Sequence, residues 1–465
     1  MKFIPSLRNT LQPVNRLPPE ILSYIARGVC NKYHEDARTI IPLTHVCRYW
    51  RVSIISIPEN WAVISNHPNN IAALSLERAK AAPLEIYLDM DRRRQDPEFL
   101  DPFIPHFRNA ETMRITSLST IEDLSFVSQH TMANLRSLAL LDRGHRDWDR
   151  SIDPFGPLTY TLRYLELFAI PLYPSFLNLT TLTGLDLRDF RCSIHLDTIL
   201  DFLEGNRSLT SARLHIWFIE PFLRSSRRRA PIQNRLQYLR IVCGDVMDGQ
   251  ALISGIALSK GAELEFNCWC DDGVNDVLSV IPTTHLSNLP SPTFMRYRVR
   301  PRFIKLHGPN GAASFYSSPG PNIPFAEFPR IPLASIRRFH LDACGWDSIQ
   351  SSPGSVTFHL SPFTALETFI AYHTDLSYLS ALLENPSASP SLKTFAFLNC
   401  FLSEEFMEAL TRFASDRKNI TSTRLQCVVI IHKSKMFPSI ASIRKLERHV
   451  PLVDVRIATE LPRDL

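Results

Sequence analysis

The chain has 465 residues, which is too long for one ordinary hydrophobic core and favours two or more domains or one elongated array of repeats. Hydrophobic residues make up 45% and charged residues 21%, as expected for a folded protein, and no run approaches the ~18 apolar residues that cross a bilayer. The formal net charge of +5 is too small to argue for nucleic acid or an anionic membrane as a partner.

Cysteine content and the first residues bear on the compartment. Nine cysteines, an odd number scattered without a pairing pattern, favour a reducing environment. Residues 1–8 contain no apolar core of a secretory signal. We therefore expect an intracellular protein, located in the cytoplasm, the nucleus or both.

Two amphipathic helices are predicted near the N-terminus. Pro18 and Pro19 favour a helix start, because the first amides of a helix need no partner. The apolar residues that follow on one side of this helix are Ile21, Leu22, Ile25 and Val29. A second helix from about Pro42 would carry another apolar stripe, formed by Leu43, Val46, Cys47, Trp50 and Ile54. Two short helices cannot bury both stripes alone, so the pattern is typical of a docking module.

Three motifs in this segment resemble those of an F-box, in particular the F-box-like version common in fungal proteins with leucine-rich repeats. They are Leu-Pro-Pro-Glu-Ile-Leu from Leu17, Val-Cys-Arg-Tyr-Trp-Arg from Val46, and Pro-Glu-Asn-Trp ending at Trp61. Three motifs in order at compatible spacing are more specific than one alone. The resemblance implies a small helical domain that binds the Skp adaptor and thereby joins a cullin-based SCF ubiquitin ligase.

The resemblance also implies which residues contact the adaptor. The positions that match the family pattern are Leu17, Pro18, Ile21, Leu22, Val46, Cys47, Trp50 and Trp61. Some of these must instead hold the two helices together, and the sequence does not divide them. The chain departs from the pattern in a long polar linker between about Ala26 and Ile41, and in Thr44 and His45 before the Val-Cys pair. The alternative interpretation is that the helices only cap the domain that follows.

Segments of the form Leu-x-x-Leu-x-Leu recur through the rest of the chain. The clearest copies begin at residues 135, 162, 182, 209, 236, 336, 366 and 392, and weaker ones lie near residues 86, 113, 264, 304, 428 and 453. The copies from 135 to 236 follow one another at 27, 20, 27 and 27 residues, and those at 366 and 392 are 26 residues apart. These separations match the ~20–29-residue period of leucine-rich repeats. The fourth and sixth positions should point inward from a short strand and the residue between them outward, so that stacked copies bury one continuous core.

Helix-like stretches between the strands, at residues 198–203, 376–383 and 404–413, complete the pattern. We predict an α/β protein with an N-terminal helical F-box followed by a curved leucine-rich-repeat solenoid. The expected domains are residues 1–65 for the F-box-like part and 66–465 for the solenoid. The outward residues that we expect to contact a target protein are Glu166, Asp186, Arg213, Arg240 and His340.

The segment at about 282–332 breaks the repeat pattern. It is rich in proline and contains Gly308, Gly311 and Gly320. Proline removes ladder donors and glycine raises loop entropy, so we expect a projecting loop or partly disordered insert. At most one repeat strand is expected inside it, near Ile304 and Leu306.

Motifs for catalysis or metal binding were not found in the sequence. Phosphate-binding loops, zinc-protease helices and nucleophile elbows do not occur. Cys268 and Cys270 could face the same side of a strand, but zinc needs about four ligands and no second pair follows. His34, Glu35 and Asp36 are better explained as a solvated loop. We therefore predict a non-enzyme with no cofactor and no metal.

Basic residues cluster at three places in the sequence. The clusters are Arg92–Arg94, Arg224 with Arg227–Arg229, and Arg296, Arg298, Arg300 and Arg302 with Lys305. Solvated loop charge explains them most simply. A nuclear-import signal at Arg227–Arg229 and a cradle for an acidic or phosphorylated partner are the sharper alternatives.

Three functional hypotheses from different classes follow. The first is a substrate-recognition subunit of an SCF ubiquitin ligase, with the Skp adaptor and cullin scaffold as partners and an unknown target protein bound by the repeats. The second is a leucine-rich-repeat scaffold with no ubiquitin-ligase role. The third is a hydrolase, which would need a nucleophile and base in one pocket. The first is favoured, and neither a membrane nor nucleic acid is expected as a partner.

Overall fold

The computed structural model describes the chain in segments separated by gaps. The described residues are 13–33, 40–65, 69–91, 96–120, 123, 132–142, 161–173, 176, 179–190, 196–216, 231–233, 235–244, 246–259, 262–268, 294–298, 302–308, 311–317, 333–342, 362–372, 383–400, 402–420, 424–432 and 438–457. The chain divides into two compact units. The first unit consists of residues 1–193 and 201–209, and the second of residues 194–200 and 210–465.

The first unit begins with short helices and continues into strands. Its α-helices are α1 (Pro19–Tyr33), α2 (Ile40–Thr44), α3 (Arg48–Ser56) and α4 (Asn69–Ala79). Its 3-10 turns are Pro13–Arg16, Pro58–Trp61, Pro97–Leu100 and Ile104–Asn109. Its strands are β1 (Val63–Ser65), β2 (Leu84–Asp89), β3 (Ala110–Leu118), β4 (Ser137–Asp142), β5 (Tyr164–Phe168) and β6 (Gly184–Phe190).

The six strands of the first unit pair in parallel, each with the next in sequence. Leu138, Leu165 and Leu185 occupy one register row and are almost completely buried. Each such leucine contributes roughly 2 kcal/mol of apolar burial. The leucines that recur in the sequence are therefore the inward row of a parallel sheet.

The second unit carries most of the remaining strands. Its helices are α5 (Leu196–Gly205, divided between the units), α6 (Val246–Ser254), α7 (Glu404–Ile420) and α8 (Ile440–Glu447). Its strands are β7 (Ser211–Ile216), β8 (Ile232–Gln233), β9 (Tyr238–Cys243), β10 (Ile256–Ala257), β11 (Glu263–Cys268), β12 (Phe294–Arg298), β13 (Arg302–Gly308), β14 (Gly311–Ser317), β15 (Arg338–Asp342), β16 (Thr368–Tyr372), β17 (Thr394–Leu398), β18 (Cys427–His432) and β19 (Leu452–Ile457).

The last five strands, β15–β19, pair in parallel, and phenylalanine replaces leucine in the core of β15, β16 and β17. The rings of Phe339 and Phe369 lie 5.6 Å apart, and those of Phe369 and Phe395 lie 5.7 Å apart in an edge-on arrangement. Phe413 of α7 completes the stack at 5.7 Å from Phe395. Such aromatic pairs add about 0.5–1.5 kcal/mol beyond their buried area.

Three antiparallel-paired strands interrupt the parallel pairing of the second unit. β12, β13 and β14 follow one another as hairpins, with β13 antiparallel to both neighbours. The last of them, β14, pairs with the preceding strand β11, whereas the first, β12, pairs with the following strand β15. After β11 the chain therefore skips two strand positions and places β12 in the third, and β13 and then β14 fill the skipped positions. We call β12–β14 the reversed meander.

The reversed meander lies within the segment for which at most one strand was predicted, and that prediction is wrong. Proline and glycine in this stretch stand between the strands, for example at Pro301 and Pro309 beside β13. The high average content of proline and glycine in the segment hides three short strands. These strands contain no proline, and glycine occurs only at their ends.

A buried arginine joins α7 to the segment before β17. Arg417 has no exposed surface, and its Nη1 donates to the carbonyl of Pro386 at 2.9 Å. Its Nη2 donates to the carbonyls of Ser389, Pro390 and Leu392 at 2.7–2.9 Å. Burial lowers the pKa of Arg417 to about 10, which leaves the guanidinium protonated at neutral pH. We call these five residues the Arg417 cluster.

The predicted architecture, a helical F-box followed by a curved leucine-rich-repeat solenoid, is wrong, although the protein is α/β. The described residues form parallel sheets: β1–β6 in the first unit, β7, β9 and β11 in the second, and the set β15–β19. Only Ala62 separates the turn that ends at Trp61 from β1, and one compact unit holds both the helices and six strands. A period of 20–29 residues specifies parallel strands with crossovers, but it does not specify curvature.

The local predictions from the repeats fared better. Strands are observed at all eight of the clearest copies, and the helix-like stretches near residues 198 and 404 correspond to α5 and α7. The stretch 376–383 lies outside the described residues except at Leu383. The alternation of apolar residues in the sequence therefore located the strands correctly. The arrangement of these strands into sheets did not follow from it.

Candidate functional site

The N-terminal helices hold the residues that match the F-box-like motifs. The structure breaks the predicted second helix in two, because α2 ends at Thr44 and α3 begins at Arg48. Cys47 is extended at the start of α3, and its Sγ donates to Asn15 Oδ1 at 3.4 Å. Cys47 is half-buried rather than a core residue, since the helix break moves it off the predicted stripe.

Hydrogen bonds to Ile54 organise the interior of these helices. Trp61 Nε1 and Asn60 Nδ2 both donate to the Ile54 carbonyl, at 3.1 and 3.2 Å. Ser23 Oγ of α1 donates to Asn60 Oδ1 at 2.7 Å, and the guanidinium of Arg78 lies 4.3 Å from the Trp61 ring centroid. These contacts tie α1, α3, α4 and the turn before β1 into one packed cluster.

The structure separates packing residues from accessible ones among the eight predicted adaptor contacts. Leu22, Trp50 and Trp61 are buried and hold the helices together. The other five are accessible to different degrees: Pro18, Ile21 and Val46 are exposed, and Leu17 and Cys47 are half-buried. Sequence reasoning could not make this division, because both groups are apolar and lie at helical spacing.

Large apolar side chains are exposed on α1, on α3 and at the break between α2 and α3. Their exposed fractions are 46% for Ile21, 78% for Tyr24, 53% for Val46, 37% for Tyr49 and 59% for Val52. Tyr49 Oη donates to the Leu17 carbonyl at 2.6 Å, so the start of α1 lies beside α3. We call these five residues the helical apolar face. Exposed apolar residues concentrated in one region mark interaction sites.

Sequence reasoning missed Tyr24, Tyr49 and Val52. Tyr24 follows Ile21 by three residues, and Val46, Tyr49 and Val52 also succeed one another at intervals of three. This spacing was a usable signal, because residues three apart share a helix face. It was overlooked because tyrosine and valine beside arginines look like a solvated face.

The five predicted target contacts divide in a similar way. Glu166, Asp186 and His340 are buried, contrary to the outward exposure expected of them, while Arg213 is exposed and Arg240 half-exposed. Alternate residues of a strand point to opposite faces of the sheet, so the sequence predicts the face on which each residue lies. It does not predict which other parts of the chain cover that face. The role of all five in target binding stays a prediction.

Arg188 neutralises two buried carboxylates on neighbouring strands of the first unit. Asp186 accepts two hydrogen bonds from Arg188, at 2.9 and 2.7 Å, and Glu166 Oε1 lies 3.7 Å from Arg188 Nη2. The hydrogen bond with Asp186 is the main reason that the pKa of Arg188 is raised. We call these three residues the Arg188 cluster. Because the charged groups are paired with one another, the cluster suits a structural role.

An open charged network lies on β7, β9 and β11 of the second unit. Tyr238 Oη donates to Glu265 Oε2 at 2.9 Å, and Arg240 Nε lies 3.4 Å from Glu265 Oε1. The Arg213 guanidinium lies 5.7 Å from the centroid of the Tyr238 ring. Burial, followed by the hydrogen bond to Glu265, raises the pKa of Tyr238.

Metal and catalytic sites receive no support from the described residues. Within the described segments, no group of three or more His, Cys, Asp and Glu side chains is placed to hold a metal ion. Cys270 and the residues from His34 to Asp36 lie outside those segments, as do the basic clusters at residues 92–94 and 224–229. In the same part of the chain, none of the helices has both the length and the apolar character needed to traverse a bilayer.

Comparisons with known proteins leave the family open. No protein-family model matches the sequence, and no curated protein is similar to it at a significant level.

Proposed function

We propose that the protein is a non-catalytic substrate-recognition subunit of a cullin-based SCF ubiquitin ligase. Its N-terminal helices bind the Skp adaptor, and its sheets bind a target protein. The observation that carries the proposal is the helical apolar face, which coincides with the segment that resembles an F-box. Buried apolar residues support this segment from inside, so the exposed ones are available for a partner.

The mechanism of such a subunit is positional. Simultaneous binding of adaptor and target holds target lysines near a charged ubiquitin-conjugating enzyme and raises their effective concentration. The subunit then needs no nucleophile or metal of its own. The second candidate function is a protein-binding scaffold with no ubiquitin-ligase role, in which the same face binds a different helical partner.

Co-purification of the full chain with the Skp adaptor tests the proposal. We expect stoichiometric capture by the wild type and at least tenfold weaker capture by Val52→Asp, because a charge at a desolvated interface centre costs about 1.4 kcal/mol or more. Ile440→Asp is the matched control, since Ile440 is 70% exposed on α8, away from this face in sequence. Its capture should equal that of the wild type.

Two further variants separate binding from folding. Leu17→Ala with Pro18→Ala should weaken capture while thermal unfolding stays unchanged, because these two side chains are half-buried and exposed. Trp50→Ala should lower both the capture of the adaptor and the temperature of thermal unfolding, because Trp50 is buried. Absence of capture by the folded wild-type chain would leave the scaffold alternative and remove the ligase proposal.

A further inference from the structure

The last strand of the second unit, β19, has one edge without a partner strand among the described residues. It pairs in parallel with β18 over its whole length, and the Leu452 amide donates to the carbonyl of Gln426 at 3.2 Å. Backbone groups of successive residues in a strand point to opposite edges. Those of Val453, Val455 and Ile457 therefore point away from β18 and leave a template for a further strand.

The apolar side chains of β19 are more exposed than those of β18. Val428 and Ile430 of β18 are buried, whereas Val453 and Val455, their partners in the register, are half-buried. Ile457, the next residue on the same face, is 62% exposed. The apolar row that crosses β15–β19 is therefore covered at β18 and partly uncovered at β19. Exposed apolar residues on a sheet edge favour pairing with another chain.

The opposite face of β19 carries one acid and one base. Arg456 Nε donates to Asp454 Oδ1 at 2.8 Å, and Arg456 Nη2 donates to Asp454 Oδ2. The Arg456 side chain is 66% exposed and that of Asp454 is 24% exposed. The strand contains no other charged residue, so its net charge is zero. Natural sheet edges are often protected by charges that repel a second strand, and the two charges of β19 cancel.

Two copies of β19 can pair in few registers. Edges of identical strands that meet across a two-fold axis run antiparallel, and residues directly opposite one another share a face of the sheet. The axis must therefore pass beside one residue, which lies opposite its own copy. An axis at Asp454 opposes two carboxylates and an axis at Arg456 opposes two guanidiniums, and both arrangements are unfavourable. An axis at Val455 avoids both.

The register centred on Val455 is complementary on both faces. Val453 lies opposite Ile457 of the second copy, so the apolar row continues across the axis. Asp454 lies opposite Arg456 of the second copy, so that the four charged side chains alternate in sign around the axis. The outward backbone groups of the two strands meet in about six hydrogen bonds, whereas an axis at Asp454 or Arg456 gives about four.

We propose that the protein self-associates through β19, with two copies paired antiparallel about Val455 to form one continuous sheet. The interface is isologous, because the same edge serves both copies. One strand edge is smaller than the interface of a permanent dimer, so the association is reversible. Self-association goes beyond the proposed function and does not depend on it, because no residue of the N-terminal helices takes part.

Sedimentation velocity of the full chain tests this proposal. We expect a monomer at roughly 1 µM and a dimer at roughly 100 µM, as for a small reversible interface. Val455→Pro should weaken dimerisation roughly tenfold or more, because it removes an N–H that points to the open edge. The variant should remain folded, since proline is tolerated on an edge strand where the N–H faces solvent. Circular dichroism checks the fold of every variant.

Exchange of charges identifies the register. Asp454→Arg alone and Arg456→Asp alone should each stay monomeric at roughly 100 µM, because both place like charges opposite one another. An equimolar mixture of these two variants should dimerise, since every carboxylate then faces a guanidinium. The double variant that combines both substitutions should dimerise like the wild type. Arg412→Asp, at an exposed position on α7, is the matched control and should leave the dimer unchanged.

Several results would overturn the proposal. They are a wild type that is monomeric throughout this range, equal dimerisation by the wild type and Val455→Pro, and a mixture of the two charge variants that remains monomeric. A second series lacks residues 458–465. A wild type that is monomeric and dimerises only after this truncation would show that the chain's own last residues occupy the edge, and self-association through β19 would then be rejected.

Discussion

Two regions of the second unit use arginine in opposite ways. In the Arg417 cluster one fully buried guanidinium donates to four backbone carbonyls. On β9 and β11, the partly exposed Arg240 pairs with Glu265, which also accepts a hydrogen bond from Tyr238. The first arrangement satisfies carbonyls that the fold has removed from water. The second is a charge pair that solvent still reaches.

The Arg188 cluster lies between these extremes. The Arg188 side chain is 43% exposed, yet it pairs with two carboxylate side chains that are almost fully buried. The comparison teaches that exposure of the arginine alone does not identify a binding residue. Identifying a binding residue also requires knowing whether its N–H donors are already hydrogen-bonded and whether the groups that accept from them are buried.

Arg417→Met should produce the largest effect on stability. The substitution leaves four carbonyls without their donor, and we expect a loss of about 3 kcal/mol in the free energy of unfolding, measured by chemical denaturation. Arg412→Met on the exposed side of the same helix is the control and should change stability by less than about 0.5 kcal/mol. Equal effects at both positions would show that the cluster is not a stabilising element.

Arg188→Met should have the next largest effect. It leaves the Glu166 and Asp186 carboxylates buried without their cation, and a loss of about 2 kcal/mol is expected, since partial exposure of Arg188 reduces the penalty of a fully buried pair. Arg136→Met, at an exposed pair, should cost less than about 1 kcal/mol. The two variants can be compared by thermal unfolding, and a larger loss at Arg136 would contradict the interpretation.

Arg240→Gln should have a smaller effect on stability. Its free energy of unfolding should stay within about 1 kcal/mol of the wild type, because the pair with Glu265 is partly exposed. Chemical denaturation measures this difference, and a loss as large as that of Arg417→Met would contradict the distinction between buried and solvent-accessible arginines.

Tyr238→Phe should have the smallest effect and a characteristic pH dependence. The pKa of Tyr238 is raised in the folded protein, so folding favours the protonated hydroxyl. Its contribution is therefore complete below the unfolded pKa of ~10 and is lost as pH rises through the folded pKa. Denaturation at pH 8 and above pH 10 should show a steeper decline for the wild type than for the variant. Identical slopes would indicate that folding does not raise the pKa of Tyr238.

The sequence predicted strands well and their assembly poorly. Leu165 and Leu167 marked β5 because alternate residues of a strand face the core, and this rule is local. The burial of Glu166 between them was not predictable, because it depends on what lies against the outer face. The arrangement of parallel strands likewise depends on contacts far apart in sequence, which a repeat period does not encode.

The candidate docking site shows the same limit. The motifs around Leu17, Trp50 and Trp61 located the helices, whereas the division into packed and accessible residues needed the three-dimensional arrangement. The helix break at residues 45–47 changed which side chains are exposed, and no single residue there signals it. Val46, predicted to lie within the second helix, instead lies in the break and is more than half exposed.

The reversed meander has a consequence for synthesis of the protein on the ribosome. β11 can pair with β9, which is made before it, but its second partner is β14. The last residue of β14, Ser317, is made 49 residues after Cys268 ends β11. At 5–20 residues per second this delay is roughly 2–10 s. During that interval β11 is an open sheet edge, a template for pairing with another chain. Nascent chains that stall within the meander should therefore aggregate more readily than those that stall before or after it.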